Sequence, residues 1–576
     1  MKYLLYFNAF LFPFDGKILL VGGKYNKRIV ATQLIQEIVR ICSVASDECE
    51  IISYLSSQFD VSKSSLKELL DKLSNRGFLV KDTVRIPNFA CVDDDSHSHE
   101  ISHLAIVTCD RPRALKASTL GYIKNAQAHS YDLNYLVIDD SFSSRQQNID
   151  VLSEISKELK CNILFFGSSE RESLVRKLAK MCDMPQYVLA FGLYPKALNL
   201  FDGNIFSAGA SRNCAIAVSQ CRNLLVIDDD SLPIGNYSSM DRQLSFSQGA
   251  PNYQHEDYVS QPLEYDNREI DIVGLNNIYL GKTLGSILSS SSSICVEKFF
   301  NNTPLILSEG SHWLKTRIAF TTNSIQGVED VSVDTLLNQK SLNRGWYVEK
   351  GDSDCVCTNP FLLTTTATGI ANDVFRIPFV PVFRNEDVMT GYFFNSLFPN
   401  SLGVRLNTNL YHNKVGGYTS ILQSTSDFYQ EVLYPYLLQR IIRITNSSSN
   451  LVIDFRRRLQ LLVSSIKTVC GDNAKQMIYN ISDVDPHFSY DISTLLELSK
   501  VQKSNYTESN QYPYMKTIPN SYLELVSNSR IALFREVLLQ YCNLLSNWHT
   551  ILDACLSIDS LPASHFEKGR FYCYKG

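Results

Sequence analysis

Hydrophobic positions fall into three regimes along the chain. In the first, GKILLVGG (Gly16–Gly23) and the stretch Arg28–Ala31 are short apolar runs that predict paired strands, with Gly22 and Gly23 at the turn. The opening MKYLLYFNAFLFPFDG reads as the first strand of the same unit. Spacing then lengthens to a helical period. ATQLIQEIVRIC places Leu34, Ile35, Ile38 and Val39 on one face. Ser46 and Asp47 precede a second helix, ECEIISYLSSQF, and Ser62 caps a third with Leu66, Leu69, Leu70 and Leu73 aligned. Gly77 ends that helix, and Phe78–Val80 returns as a strand. A small winged-helix-like α+β domain is predicted over 1–85. The polar run 86–100, with DDDSHSHE, has no periodicity and reads as a linker.

The second regime, 101–425, alternates buried strands with helices. HLAIVTCD (His103–Asp110), NYLVIDDS (Asn134–Ser141), CNILFFG (Cys161–Gly167) and RNLLVIDDD (Arg222–Asp230) are apolar runs ending in polar residues. RALKASTLGYIKNA, NIDVLSEISKEL and ERESLVRKLAKMC separate them as helices, and Gly209–Val218 leads into another. Repeated β-α units predict an α/β fold with a parallel sheet covered on both faces. Ligands in such sheets sit beyond the carboxyl ends of the strands, so Thr108, Asp110, Asp139, Asp140 and Asp228–Asp230 become candidates. The third regime, 426–576, is dominated by long helical patterns and predicts a helical C-terminal region, suited to covering a cleft or mediating a homodimer.

Composition changes this picture little. At 576 residues the chain has room for about three or four domains. Hydrophobic residues at 44% exclude wholesale disorder, and 26 Gly with 18 Pro exclude fibrous classes. A formal net charge of −5 disfavours a broad nucleic-acid-binding field. Fifteen cysteines form no regular framework, which predicts reduced thiols and a cytoplasmic protein. No run of about 18 apolar residues exists, so no membrane span is expected.

The candidate chemistry starts at VIDDDS (Val226–Ser231). Alternation along a strand would put Asp228 and Asp230 on one face, a hard oxygen site for Mg²⁺ or Mn²⁺ with a diphosphate completing the shell. Glu386–Asp387, in RIPFVPVFRNEDVMTGYFF, lie at a loop-to-helix junction, where acids also suit a helix start. Glu256–Asp257 and Glu329–Asp330 are weaker rivals without the preceding Pro-x-x-Pro-x-x-Arg. His412 follows about 25 residues on, a borderline nitrogen suited to Mn²⁺. GLNNIYLGKT (Gly274–Thr283) lacks a glycine where a phosphate loop requires one, at Asn276.

These motifs together resemble a GT-A fold, family-2-like glycosyltransferase over about residues 101–415. IVTCDRP looks like the first nucleotide-binding strand and turn, implying donor contacts from Thr108, Asp110 and Arg111. YLVIDDS looks like the second, whose Asp139 or Asp140 would meet the nucleobase or ribose; Gly167 ends the third strand. GASRNCAIA is similar to the segment that places Arg212 and Asn213 near the donor. VIDDD takes the place of the Asp-x-Asp motif, implying metal ligation by Asp228 and Asp230, with His412 as third ligand and Asp229 at the donor. In the Glu386–Asp387 pair, Asp387 would be the general base of an inverting transfer from a nucleotide sugar, most often UDP-linked. No Gln-x-x-Arg-Trp occurs, which disfavours a processive synthase.

GKILLVGGKYNKRIV…LKELLDKLSNRGFLV resembles the PqqD-like recognition element of enzymes that modify ribosomally made peptides. The resemblance implies that a precursor's leader peptide adds a strand beside Arg28, Ile29 and Val30 and packs against Lys63, Leu66, Lys67 and Leu70. An ordinary winged-helix DNA-binding or scaffolding unit is the alternative, fed by Lys24, Lys27, Arg28, Lys63 and Lys67. The combined expectation is a peptide-modifying glycosyltransferase. The rivals are a transferase acting on a glycan, lipid or small molecule, and a non-catalytic nucleotide-sugar-binding or regulatory protein.

Overall fold

The structure, a computed structural model, describes residues 2–5, 10–14, 17–22, 27–42, 46–81, 100–198, 206–220, 222–237, 244–248, 256–259, 268–290, 317–327, 346–349, 354–358, 363, 367–372, 374–398, 401–412, 429–446, 455–485, 488, 491–493, 529–558 and 560–574. Linker residues 86–99, with His97 and His99, and Glu329–Asp330 lie outside the described residues.

The N-terminal unit comprises strands β1 (Lys2–Leu5), β2 (Phe10–Phe14), β3 (Lys17–Gly22), β4 (Lys27–Val30), β5 (Ser46–Asp47) and β6 (Leu79–Lys81). Its helices are α1 (Gln33–Ile41), α2 (Glu48–Gln58) and α3 (Lys63–Asn75). Each helix starts where a short polar side chain accepts an otherwise orphaned backbone N–H: Thr32 from Ile35, Asp47 from Cys49 and Ser62 from Ser65. Gly77, at φ +81°, closes α3 in a conformation that favours glycine. Two three-stranded sheets result, in the orders β5-β1-β6 and β2-β3-β4. The N-terminal run expected as one strand is therefore two, β1 and β2, in different sheets. Tyr3, Leu20, Ile38, Leu55, Leu66, Leu70 and Phe78 form the shared core.

The remainder is α/β, built on a large mixed sheet of 15 strands. Its centre is β7 (His103–Thr108), β8 (Asn134–Asp139), β9 (Ile163–Phe166) and β10 (Leu224–Asp228), in the order β10-β7-β8-β9 and all parallel. Helices α4 (Pro112–Ala128), α5 (Arg145–Leu159), α6 (Ser168–Cys182), α7 (Gln186–Leu193) and α8 (Ala208–Val218) connect them. Alternation decides which helices cover which face. Leu104, Ile106, Val137, Ile163 and Leu225 pack with Leu115 and Ile123 of α4 and Leu152 of α5. Ala105, Val107, Leu136, Ile138 and Val226 point the other way, into the core shared with α6, α7 and α8. Strand order reverses between β7 and β10, where a doubly wound sheet opens a crevice at its carboxyl edge.

Beyond β10 the sheet continues antiparallel through Ala367–Ile370, and Ile318–Gly327 pairs with both that strand and Leu402–His412. β11 (Ser231–Tyr237) follows the acidic triplet directly and pairs antiparallel with Leu402–His412. C-terminal helices Tyr434–Asn446, Phe455–Cys470, Ala474–Val484 and Ser529–Leu556 share the core of α6, α7 and α8. Tyr541 illustrates the joint: its buried hydroxyl donates to the Pro378 carbonyl at 2.6 Å. The C-terminal region, expected to be mainly helical, also contains a hairpin, Ser564–Glu567 and Arg570–Tyr572, that extends the large sheet at β9. Its four-residue and three-residue strands are too short for a periodic signal to register. Ten cysteines among the described residues are free thiols, and no helix there is long and apolar enough to cross a membrane.

Candidate functional site

The carboxyl edge of the parallel block gathers acids from three strands and one distant helix. β10 ends at Asp228, and residues 229–230 turn away. Because the extended backbone stops there, the period-two rule no longer applies to the triplet. Asp228 and Asp230, expected to converge, take different partners instead. Arg212 of α8 donates to Asp228 at 2.7 Å. Arg111, the residue before α4, donates to Asp230 at 2.7 Å and pairs with Asp229. Thr108, at the end of β7, donates its hydroxyl to the second Asp229 oxygen at 2.6 Å.

Arg212 also pairs with Glu386 at the start of the helix Glu386–Leu397. One buried guanidinium thus ties the strand-end acid to the helix-start acid, which lies 174 residues from Arg212 in sequence. The local sequence explains this approach. A Cβ on Gly209 would collide with the Val380 carbonyl oxygen, so only glycine lets α8 start so close to the Pro378–Phe383 segment. Ala210 N–H donates to the Pro381 carbonyl at 3.0 Å. Asn213 donates to the carbonyls of Gly192 and Phe379 and accepts the Phe379 N–H. Asn213 is fully buried in this role. Its amide latches the segment that carries Glu386 and Asp387. Arg212, also expected at the donor, is buried and directed at Asp228 and Glu386.

Burial sets the charge state of two acids here. It pushes Glu386 up to about 7, with Arg212 opposing and Asp387 reinforcing the shift. Burial likewise pushes Asp229 up to about 7, against the attraction of Arg111. Asp387 is half-buried, and one of its oxygens accepts the Val388 N–H at 2.8 Å. Of the Glu386–Asp387 pair, Asp387 is the more exposed member, and Glu386 is the one that anchors the helix start through Arg212.

The second and third strand ends are more fully self-satisfied. Asp140 accepts from the buried Arg171 at 2.7 Å, pairs with Lys196 at 3.0 Å, and accepts the Ser207 hydroxyl. Asp139 accepts from Ser141 N–H and the Asn148 amide. Asp110 adopts φ 52° and collects the N–H groups of Phe142, Ser143 and Ser144 at 2.8–3.0 Å. These acids build the loop at the strand ends. Gly167 begins α6, where a Cβ would strike Arg145. Arg171, Lys196 and Phe142 carry no motif. Lys196 Nζ lies 3.4 Å from the Phe142 ring centre, and that ring is exposed. Arg171 had one legible signal, its place on the apolar stripe with Leu174, Val175 and Leu178.

His412 closes its strand opposite Ser231, so its backbone lies one residue past Asp230 across the ladder. Among the described residues, no three His, Cys, Asp or Glu side chains surround a common cation position. The donor set nevertheless suits a hard divalent cation in kind and charge. Asp228, Asp229, Asp230 and Glu386 are four carboxyl groups against two guanidiniums, and the buried Asp229 Oδ1 is ion-paired with Arg111.

No family model matches this chain. No curated protein matches it either. A solved structure, that of the heterocyclase TruD, aligns with 28% of this chain and 25% of its own at 12% identity and a TM-score of 0.11, a likeness that carries no argument. The chain thus spans about a quarter of that structure's length.

In the N-terminal unit, Arg28 and Val30 are exposed and Ile29 is half-buried on β4, which pairs only with β3 among the described residues. Lys63 and Lys67 are exposed, and Lys67 pairs with Glu48 at 3.0 Å. Leu66 and Leu70 are fully buried. Their expected presentation to a peptide is corrected: the helical stripe that made them visible is the one α3 turns into its own core.

Proposed function

We propose that this chain is a metal-dependent glycosyltransferase of GT-A type, moving a sugar from a nucleotide-sugar donor, UDP-linked by preference, to a side chain of a ribosomally made precursor peptide. The observation that supports this most is the meeting of Asp228, Glu386 and Asp387 around Arg212, at the edge where the sheet order reverses. Asp387, half-buried at the helix start, would take a proton from an attacking hydroxyl or thiol. Glu386 and Arg212 hold the helix start that carries it. Asp228 and Asp230 would hold Mn²⁺ or Mg²⁺, with His412 next to them across the strand ladder. When bound, the metal would neutralise the departing diphosphate. The N-terminal unit, read as a winged-helix-like recognition element, would take the leader as an added strand along β4, raising the local concentration of a weakly held acceptor.

The test is incubation with UDP-sugars, Mn²⁺ and a peptide encoded beside this protein, followed by mass spectrometry. Sugar transfer is expected, and Asp387→Asn is expected to reduce turnover by about 10²–10⁴-fold while leaving the circular dichroism spectrum unchanged. Undiminished turnover in that variant rules out the base assignment. A non-catalytic, donor-binding reading is favoured by one observation, the pairing of Asp228, Asp229 and Asp230 with arginines. Nucleotide binding without transfer or donor hydrolysis would select it.

A further inference from the structure

We propose that the groove between the α6–α7 corner and the helix Ser529–Leu556 is a carbohydrate-binding site that takes a neutral pyranose ring. It is separate from the acidic edge and does not depend on the transferase reading. α6 leaves the carboxyl edge after β9 and runs back for 15 residues, about 22 Å. Its far end therefore lies towards the opposite end of the sheet. There Asp183, Tyr187, Asn543, Asn547 and Thr550 line a groove of about 410 Å³, a volume in the range of small-molecule sites. Its walls are tied together. The Cys182 thiol donates to the Thr550 carbonyl at 3.7 Å, and Val188 in the α7 wall is buried.

The lining selects the ligand. Tyr187, 50% exposed, gives the groove a flat aromatic ring. The negative face of such a ring attracts C–H groups polarised by neighbouring oxygens, and a pyranose carries these in a row along one face. The Asn547 amide nitrogen donates to the Asn543 carbonyl at 2.8 Å, which leaves the Asn547 side-chain oxygen as an acceptor. The Asn543 side chain and the Asp183 carboxylate make no hydrogen bond or ion pair among the described residues, unlike the paired acids at the carboxyl edge. The groove thus offers donors and acceptors side by side, and a sugar hydroxyl, itself both, satisfies the two kinds. No lysine or arginine lines it among the described residues, and Asp183 repels anions, which disfavours a phosphate or carboxylate ligand. A wholly apolar ligand would cover the amides and leave them unpaired.

The test is saturation-transfer difference NMR of the full chain with the methyl β-glycosides of glucose, galactose and N-acetylglucosamine. Roughly millimolar binding of at least one is expected, as suits a single ring of this size. Tyr187→Ala is expected to weaken it by about tenfold or more, and Tyr187→Phe, which keeps the ring, to stay within about twofold of the wild type. Sorbitol, which has the hydroxyls without the ring, should give no signal at the same concentration, and inorganic phosphate should not displace the glycoside. Absence of binding by all three glycosides overturns the proposal, as does a signal that Tyr187→Ala leaves unchanged. Sorbitol binding as well as the glycosides, or displacement by phosphate, overturns the ligand class. Should Tyr187→Ala fail to fold by circular dichroism, Asn543→Ala decides: weaker binding supports the site, and equal binding refutes it.

Discussion

The carboxyl edge of the large sheet and the outer edge of β4 are opposite solutions to exposing polar groups. At the sheet end, side chains from β7, β8, β10, α8 and a distant helix are locked to each other by charge. At β4, the available groups belong to the backbone, with exposed Arg28 and Val30 beside them. The first edge is preorganised, so altering one side chain disturbs several elements. The second is an edge whose alternate N–H groups face away from β3, so altering one exposed side chain there disturbs little else.

The sharpest way to break this contrast is Arg212→Ala. Removing a buried guanidinium strands Asp228 and Glu386 without their shared partner. A loss of about 3–5 kcal/mol is expected by chemical denaturation. A loss below 1 kcal/mol would mean that the sheet end is held by packing and that the ion pairs are incidental. Gly209→Ala comes next. Its Cβ meets a backbone carbonyl, which cannot rotate away as a side chain can. About 1–3 kcal/mol of destabilisation is expected, with Asp387-dependent turnover falling as α8 moves off Val380.

A smaller effect tests whether burial or charge pairing governs Glu386. Its folded pKa, about 7, lies above the usual 4.5 because burial outweighs the pull of Arg212. Asp387 and Asp228 also face it and raise it further. A raised folded pKa means the folded state binds the proton more readily. That contribution to stability is present below about pH 4.5 and is lost as pH rises through 7. Melting temperature should therefore decline across this window, and Glu386→Gln should flatten the decline. Asp229, raised in the same sense, supplies the slope that remains. An unchanged slope in Glu386→Gln would show that Arg212 keeps the carboxylate charged throughout.

The parallel core was legible because its strands are buried on both faces and read as continuous apolar runs. Asn134–Asp139 and Leu224–Asp228 fall inside the runs that marked them. The acids at their ends were legible for the same reason, as abrupt changes from apolar to charged. Their partners were not. Arg212 finds Glu386 through Gly209 and the Pro378–Phe383 segment, a contact made by three-dimensional packing with no shared period. Alternation also failed at Asp228–Asp230, since the turn reassigned Asp229 and Asp230 to Arg111. Leu66 and Leu70 show the converse error: a clear stripe marks a core face, and it cannot also face a ligand.

The mildest perturbation addresses the β4 edge. Ala31 N–H donates to the Ile18 carbonyl, and β3 and β4 are antiparallel with Leu20 opposite Ile29. In an antiparallel ladder the N–H groups alternate in direction, so those of Ile29 and Ala31 face β3 while those of Arg28 and Val30 face outward. Val30→Pro therefore deletes one outward donor and leaves the β3–β4 ladder intact. Proline is tolerated at such edge positions, and Val30 is 53% exposed, so its loss removes little packing. Stability should change by less than about 1 kcal/mol. Leader-peptide binding should weaken by about tenfold or more, because an added strand needs that N–H. Val30→Thr, which changes the side chain and keeps the donor, should bind nearly as well as the wild type. If fluorescence anisotropy with a labelled leader instead shows Pro and Thr behaving alike, the peptide does not dock as a strand on β4, and the two edges of the molecule would no longer differ in the way described.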